Sequence, residues 1–101
     1  MKLAKIALLL FIAILISACV ESQSEFIGNW HHVGYDDSMT IVENGPNLIV
    51  KIQNGPTFPG VVKDGLLEVT VEGGHVLKFL HVKDTDKLVM GEEEFVRQRL
   101  P

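Results

Sequence analysis

Cysteine is all but missing from this sequence: among 101 residues, Cys19 is the only one. An internal disulfide is thereby excluded, in a size range where many exported domains depend on such staples, so stability has to come from an apolar core. Cysteine-based zinc sites are excluded with it. Long apolar runs are equally scarce. The one present, Ile6 to Ile16, covers 11 residues, and a membrane-spanning helix needs about 20. Positive charge is in deficit, with 9 Lys plus Arg against 13 Asp plus Glu. A chain of that balance is a poor partner for nucleic acid or for anionic headgroups. Nucleophile motifs are missing too. There is no Gly-x-Ser-x-Gly, and beyond position 18 the only serines are Ser22, Ser24 and Ser38.

What is present begins with the leader. Lys2 and Lys5 precede the apolar run, which ends in Ile16-Ser17-Ala18-Cys19. A basic start, an apolar stretch of this length and small residues at its end are the layout of a secretory signal peptide. The last four residues resemble the lipobox of bacterial lipoproteins: an aliphatic residue, two small ones, then cysteine. The resemblance implies diacylation of Cys19 on sulfur, cleavage between Ala18 and Cys19, and acylation of the new amine. It also implies an address. Val20, not aspartate, follows the cysteine, and in a Gram-negative cell this directs such proteins to the periplasmic face of the outer membrane. The expected organisation is a signal peptide over 1–18 in the form of an N-terminal helix, a lipidated tether over 19–25, and one domain over 26–101.

Loss of residues 1–18 leaves 83 residues and, with Lys2 and Lys5 gone, a formal charge of −6. That charge suits a soluble body standing off the bilayer. The tether from Val20 to Ser24 is polar and short, and holds the body within roughly 20 Å of the surface when extended. A core can be drawn from Trp30, Val33, Ile41, Leu48, Val50, Ile52, Leu66, Val69, Val71, Val76, Phe79, Leu80, Leu88 and Phe95. At about 1.5–3 kcal/mol for each side chain buried, these are enough for a small domain with little to spare.

Short β-branched runs alternate with turn signals every eight to twelve residues, the pattern of an all-β meander. Candidate strands are Asn29 to Tyr35, Ser38 to Glu43, Asn47 to Gln53, Phe58 to Lys63, Leu66 to Glu72, His75 to Val82 and Lys87 to Met90. Asn44-Gly45-Pro46, Asn54-Gly55-Pro56, Asp64-Gly65 and Gly73-Gly74 punctuate them. Pro59 and Gly60 predict that the fourth is an edge or bulged strand. Glu92 to Arg99 reads as a helix start or as the second arm of a hairpin after Gly91, with the hairpin preferred. The expected fold is a small antiparallel meander of about seven to eight short strands, as a strongly bent sheet or flattened barrel with little interior volume.

Gly28-Asn29-Trp30, opening the first strand, resembles the Gly-x-Trp signature of lipocalins and related calycin barrels. In that family an arginine of the last strand packs across the tryptophan face and closes the barrel. The resemblance implies a lipocalin-like miniature in which Phe95-Val96-Arg97 supplies that arginine, with Arg99 as the other candidate. A guanidinium over an indole is a cation–π contact worth about 0.5–2 kcal/mol. Trp30 is thus expected to be a core anchor.

The remaining chemistry-bearing residues read as structural. His31 and His32 are adjacent, so on a strand they point to opposite faces, and His75 and His81, six residues apart, share a face about 20 Å apart. No metal site is expected from them, and no cofactor. Asp36 and Asp37 suit a turn, and Glu92 to Glu94 a solvated border against strand-to-strand aggregation. The functional expectation is a lipid-anchored, non-catalytic binding or accessory module of the cell envelope, held to the membrane through Cys19 and engaging a protein partner. Its rivals are an immunity or inhibitor lipoprotein whose acidic surface covers a basic active site, and a carrier for a small apolar ligand.

Overall fold

Turn chemistry divides the chain. At Asp64-Gly65 both residues take positive φ, 53° and 80°, the two-residue turn whose twist matches that of paired strands. Asn54, Gly45, Asp86 and Gly91 put a left-handed residue into four further connections, where Gly, Asn and Asp cost least. Between these points the apolar side chains alternate with polar ones, so each run can bury one face.

The computed structural model describes residues 21–98, and the chain there is all-β, with eight antiparallel strands closed into a barrel. The strands are β1 (Gly28–His32), β2 (Ser38–Asn44), β3 (Asn47–Ile52), β4 (Thr57–Lys63), β5 (Leu66–Thr70), β6 (Val76–Val82), β7 (Lys87–Met90) and β8 (Glu93–Arg97). Each pairs with its neighbours in sequence, and β8 returns to β1 with Trp30 opposite Arg97 and His32 opposite Phe95. Residues 92–99 therefore begin with a hairpin strand and not a helix, because Gly91 turns the chain straight back along β7. The expected signal helix lies outside the described residues.

Closure removes sheet edges, which corrects the expectation of an edge strand at Phe58 to Lys63. That segment pairs with β3 on one side and β5 on the other. Pro59 is tolerated because the ladder to β5 begins only at Gly60, leaving Pro59 paired with Ile49 of β3. Gly60 has its own reason: a Cβ there would stand 3.0 Å from Leu67 Cδ1, inside the packed interior.

The inward row is Trp30, Met39, Ile41, Leu48, Val50, Leu67, Val69, Phe79, Leu88 and Phe95, all buried, with Phe26 lowered onto one end. These side chains fill the barrel, as expected of short strands with little interior volume. Val33, Val76 and Leu80, assigned to the core from sequence, are exposed. Val33 falls just past β1, where Gly34 turns the chain at φ 85°. Val76 and Leu80 share the outward parity of Lys78 on β6.

Part of the segment read as a short polar tether has regular structure of its own. Glu21–Phe26 is a short 3-10 helix. It is held to the barrel by Trp30 Nε1, which donates to the Phe26 carbonyl at 2.9 Å, and by Gln23 Nε2, which donates to the Pro46 carbonyl at 2.6 Å.

Candidate functional site

The barrel has two unlike ends. At one, the entering chain forms a lid. Phe26 is buried over the interior, and Arg97 binds the backbone on either side of it, Nη1 donating to the Ile27 carbonyl at 2.6 Å and Nη2 to the Glu25 carbonyl at 3.0 Å. The same guanidinium lies over the fully buried Trp30, 4.3 Å from the ring centroid. Its Nε donates to Asp86 Oδ2 at 2.7 Å. His81, the last inward residue of β6, donates from Nε2 to Asp86 Oδ1 at 2.8 Å and meets Phe26 and Trp30 edge-on. Its Nδ1 faces Glu25 Oε2 at 3.6 Å, an ion-pair distance beyond hydrogen-bond reach. The Arg97 guanidinium and then the His81 ring hold the Asp86 carboxyl at about 2, below its ordinary 3.8.

Gly28 belongs to this arrangement. Its φ is 143°, and a Cβ there would collide with Arg97 Nη1. The glycine two residues before Trp30 thus leaves the space that the guanidinium occupies on its way to Ile27.

At the opposite end, among the described residues, no buried side chain of a connecting segment caps the interior. An apolar recess of about 190 Å³ opens there, floored by Met39, Leu77, Phe79 and Met90 and walled by His32 and Phe95. His32 is stacked between Tyr35, at 4.2 Å, and Phe95, at 4.5 Å. Its Nε2 donates to Glu93 Oε2 at 2.8 Å and its Nδ1 faces Asp37 Oδ2 at 3.2 Å. Partial burial pulls the His32 pKa down, but the hydrogen bonds and charges of Glu93 and Asp37 outweigh it and hold the ring above its ordinary 6.5. Because the two carboxylates take opposite ring nitrogens, the donors do not converge on one point. Among the described residues, no group of three or more His, Cys, Asp or Glu side chains could hold a metal ion.

Two other hollows lie outside the barrel. One, of about 430 Å³, is a dip over Thr40, Lys51 and Gln98 that shares Ser38, Met39 and Ile52 with the apolar recess. The other, of about 410 Å³, lies between Asp36, Asp37, Gln53 and Asn54, and shares Asp37 and Ile52 with the apolar recess. The smaller recess is lined by three side chains of the inward row, Met39, Phe79 and Phe95.

Of the residues singled out from sequence, Trp30 and Arg97 are brought together, while Ala18, Cys19 and Arg99 lie outside the described residues. The carboxylate sets of His32 and His81 were not anticipated. A parity signal was available: His32 continues the inward row of Trp30, and His81 that of Phe79. An inward histidine at the end of a strand requires polar partners there. No family model, curated protein or solved structure matches the chain.

Proposed function

We propose that this protein is a lipid-anchored binding module of the bacterial envelope, acylated at Cys19 after cleavage behind Ala18 and working on the periplasmic face of the outer membrane without catalysis. The observation that carries this reading is the polarity of the barrel. The end at which the N-terminal segment enters is sealed by Phe26 and Arg97, and the other end keeps an apolar mouth. An anchor at Cys19, two residues before the 3-10 helix, leaves the mouth directed away from the bilayer. The lipocalin-like reading draws support from the Trp30–Arg97 contact and the up-and-down order of the strands.

A second reading, an inhibitor or immunity lipoprotein covering a basic surface, is supported by the carboxylates at the open end. Radiolabelled fatty acid tests the anchor: label is expected in the wild-type protein and absent from Cys19→Ser, which should accumulate as an uncleaved or misplaced precursor. Equal labelling of both refutes the lipoprotein reading. The genes beside this one separate the two roles, a toxin gene pointing to immunity and an envelope-assembly operon to an accessory part.

A further inference from the structure

We propose that the open end of the barrel docks a basic segment of a partner protein, one apolar side chain of that segment entering the recess and a neighbouring cationic side chain lying in the acidic hollow beside it. This rests on the reading of the protein as a binding module and adds the chemistry of what is bound.

Size narrows the occupant. Pockets for drug-sized ligands run to about 300–1,000 Å³, and a cavity of about 150 Å³ takes a single benzene. At about 190 Å³, the recess suits one ring or one branched aliphatic group. A long acyl chain or a multi-ring ligand has no room, because the interior behind Phe79 and Phe95 is filled by the inward row. Anchoring by one apolar side chain in a pocket is how many protein interfaces concentrate their energy. Met39 and Met90 in the floor can adjust their shape to such a guest.

Charge narrows it further. The four connections at this end span residues 33–37, 53–56, 71–75 and 91–92, and they contain no Lys or Arg. Asp36, Asp37, Glu72 and Glu92 are exposed on them, and Glu93 follows at the start of β8. The nearest cation on the strands is Lys51, one residue before β3 ends and exposed on the outer wall. Lys78, the third residue of β6, is likewise exposed on the outer wall, and Lys63, Lys83, Lys87 and Arg97 lie towards the sealed end. His32, already matched by Glu93 and Asp37, offsets one charge at most. The apolar recess and the hollow between Asp36 and Asp37 share the side chains of Asp37 and Ile52. A ring and a lysine or arginine a residue or two apart on one strand-like segment match that pair of hollows. Exposed Val33, Tyr35 and Val76 stand at the same end and extend the apolar contact around it. An acidic apolar mouth steers basic partners in and rejects acidic ones.

The test uses the full chain in nanodiscs of neutral phosphatidylcholine, with methionine methyls labelled by carbon-13. Met39 and Met90 both line the mouth and report on it directly. The probe is the capped peptide Lys-Lys-Phe-Lys-Lys, with Glu-Glu-Phe-Glu-Glu and Lys-Lys-Gly-Lys-Lys as controls. Saturable shifts of both methyls are expected with the first peptide, and affinity at least about tenfold weaker with either control. The triple variant Asp36→Asn, Glu72→Gln, Glu92→Gln alters exposed side chains with no ion pair or side-chain hydrogen bond among the described residues, so its barrel should stay intact. It should bind about tenfold more weakly and lose most of the salt dependence. Equal response to all three peptides, no response to any, or an unchanged affinity in the triple variant overturns the proposal. So does saturation of the mouth by toluene in the absence of peptide binding, which would make it a small-ligand site. Fatty-acid labelling of Cys19 reads the anchor alone, so failure at the mouth and failure of the lipoprotein reading remain distinguishable.

Discussion

Replacing Arg97 by alanine should remove a large share of the stability of the barrel. Arg97 gives one cation–π contact to Trp30, two hydrogen bonds to the Glu25 and Ile27 carbonyls, and a two-point ion pair to Asp86. The contact with the indole is worth about 0.5–2 kcal/mol. A hydrogen bond involving a charged group contributes about 1.5–3 kcal/mol when well buried. Here the arginine side chain is 27% and the aspartate 40% exposed, so water recovers part of what is lost and the values do not add. A net cost of about 3 kcal/mol follows, against a total of roughly 4–12 kcal/mol for a domain of this size. That corresponds to a fall in melting temperature of about 12–24 °C. Arg97→Lys should recover little, since a point charge on a flexible stem cannot serve two carbonyls and a carboxylate at once.

The depression of Asp86 to about 2 equals roughly 2 kcal/mol of favourable interaction, reduced to about 1 kcal/mol for its exposure. Asp86→Asn should therefore cost about 1 kcal/mol, and the double variant less than the sum, with a coupling of at least about 0.5 kcal/mol. The sign with pH is also set. A carboxylate with a lowered folded pKa stabilises above its unfolded value, and this contribution should fade between about pH 4 and pH 2 in the wild type and be much smaller in Arg97→Ala. Urea unfolding followed by far-ultraviolet circular dichroism measures all of this. An Arg97→Ala cost under about 0.5 kcal/mol, or strict additivity with Asp86→Asn, would refute the claim that this guanidinium locks the lid.

Gly28→Ala should destabilise by about 1–3 kcal/mol, from φ 143° and the collision with Arg97 Nη1. The companion Gly28→Ala, Arg97→Ala should cost less than the two singly, and a larger combined cost would contradict the shared-space argument. His32 gives the opposite pH sign to Asp86. Its folded pKa is raised, so its contribution is complete below about pH 6.5 and is lost as pH climbs through the folded value. Histidine proton resonances followed by NMR titration should place His32 above the ordinary 6.5, and a value at or below it would count against the Glu93 and Asp37 contacts.

The strand order was legible because turn chemistry is local. Asn44-Gly45, Asn54-Gly55 and Asp64-Gly65 each carry the left-handed residue that their connection uses, and a reader of the sequence needs only neighbours to see it. Closure was not legible in the same way. Nothing near Trp30 or Arg97 states that they will be register partners, and only the lipocalin-like spacing at the two ends suggested it. The environment of His32 was hidden for the same reason, because Glu93 lies 61 residues away and becomes a partner only through the β1–β8 seam. Core membership failed where a run was taken to end too late or the parity of a strand was misjudged. Val33 belongs to the turn after β1, and Leu80 to the outward parity of β6.

The β1–β8 seam also sets a timetable. The strand that emerges first from the ribosome is completed by the strand that emerges last, and every shorter nascent chain exposes β1 as a bare edge with the indole of Trp30 uncovered. Hairpins β2–β3 through β6–β7 need only adjacent residues and can form early, whereas the seam waits for the whole chain and must overcome the entropy of joining distant ends. Until then the sheet has two free rims, and it gains its lid, its filled interior and its mouth in a single late event. A nascent chain of this kind stays an open sheet until its last strand has been made.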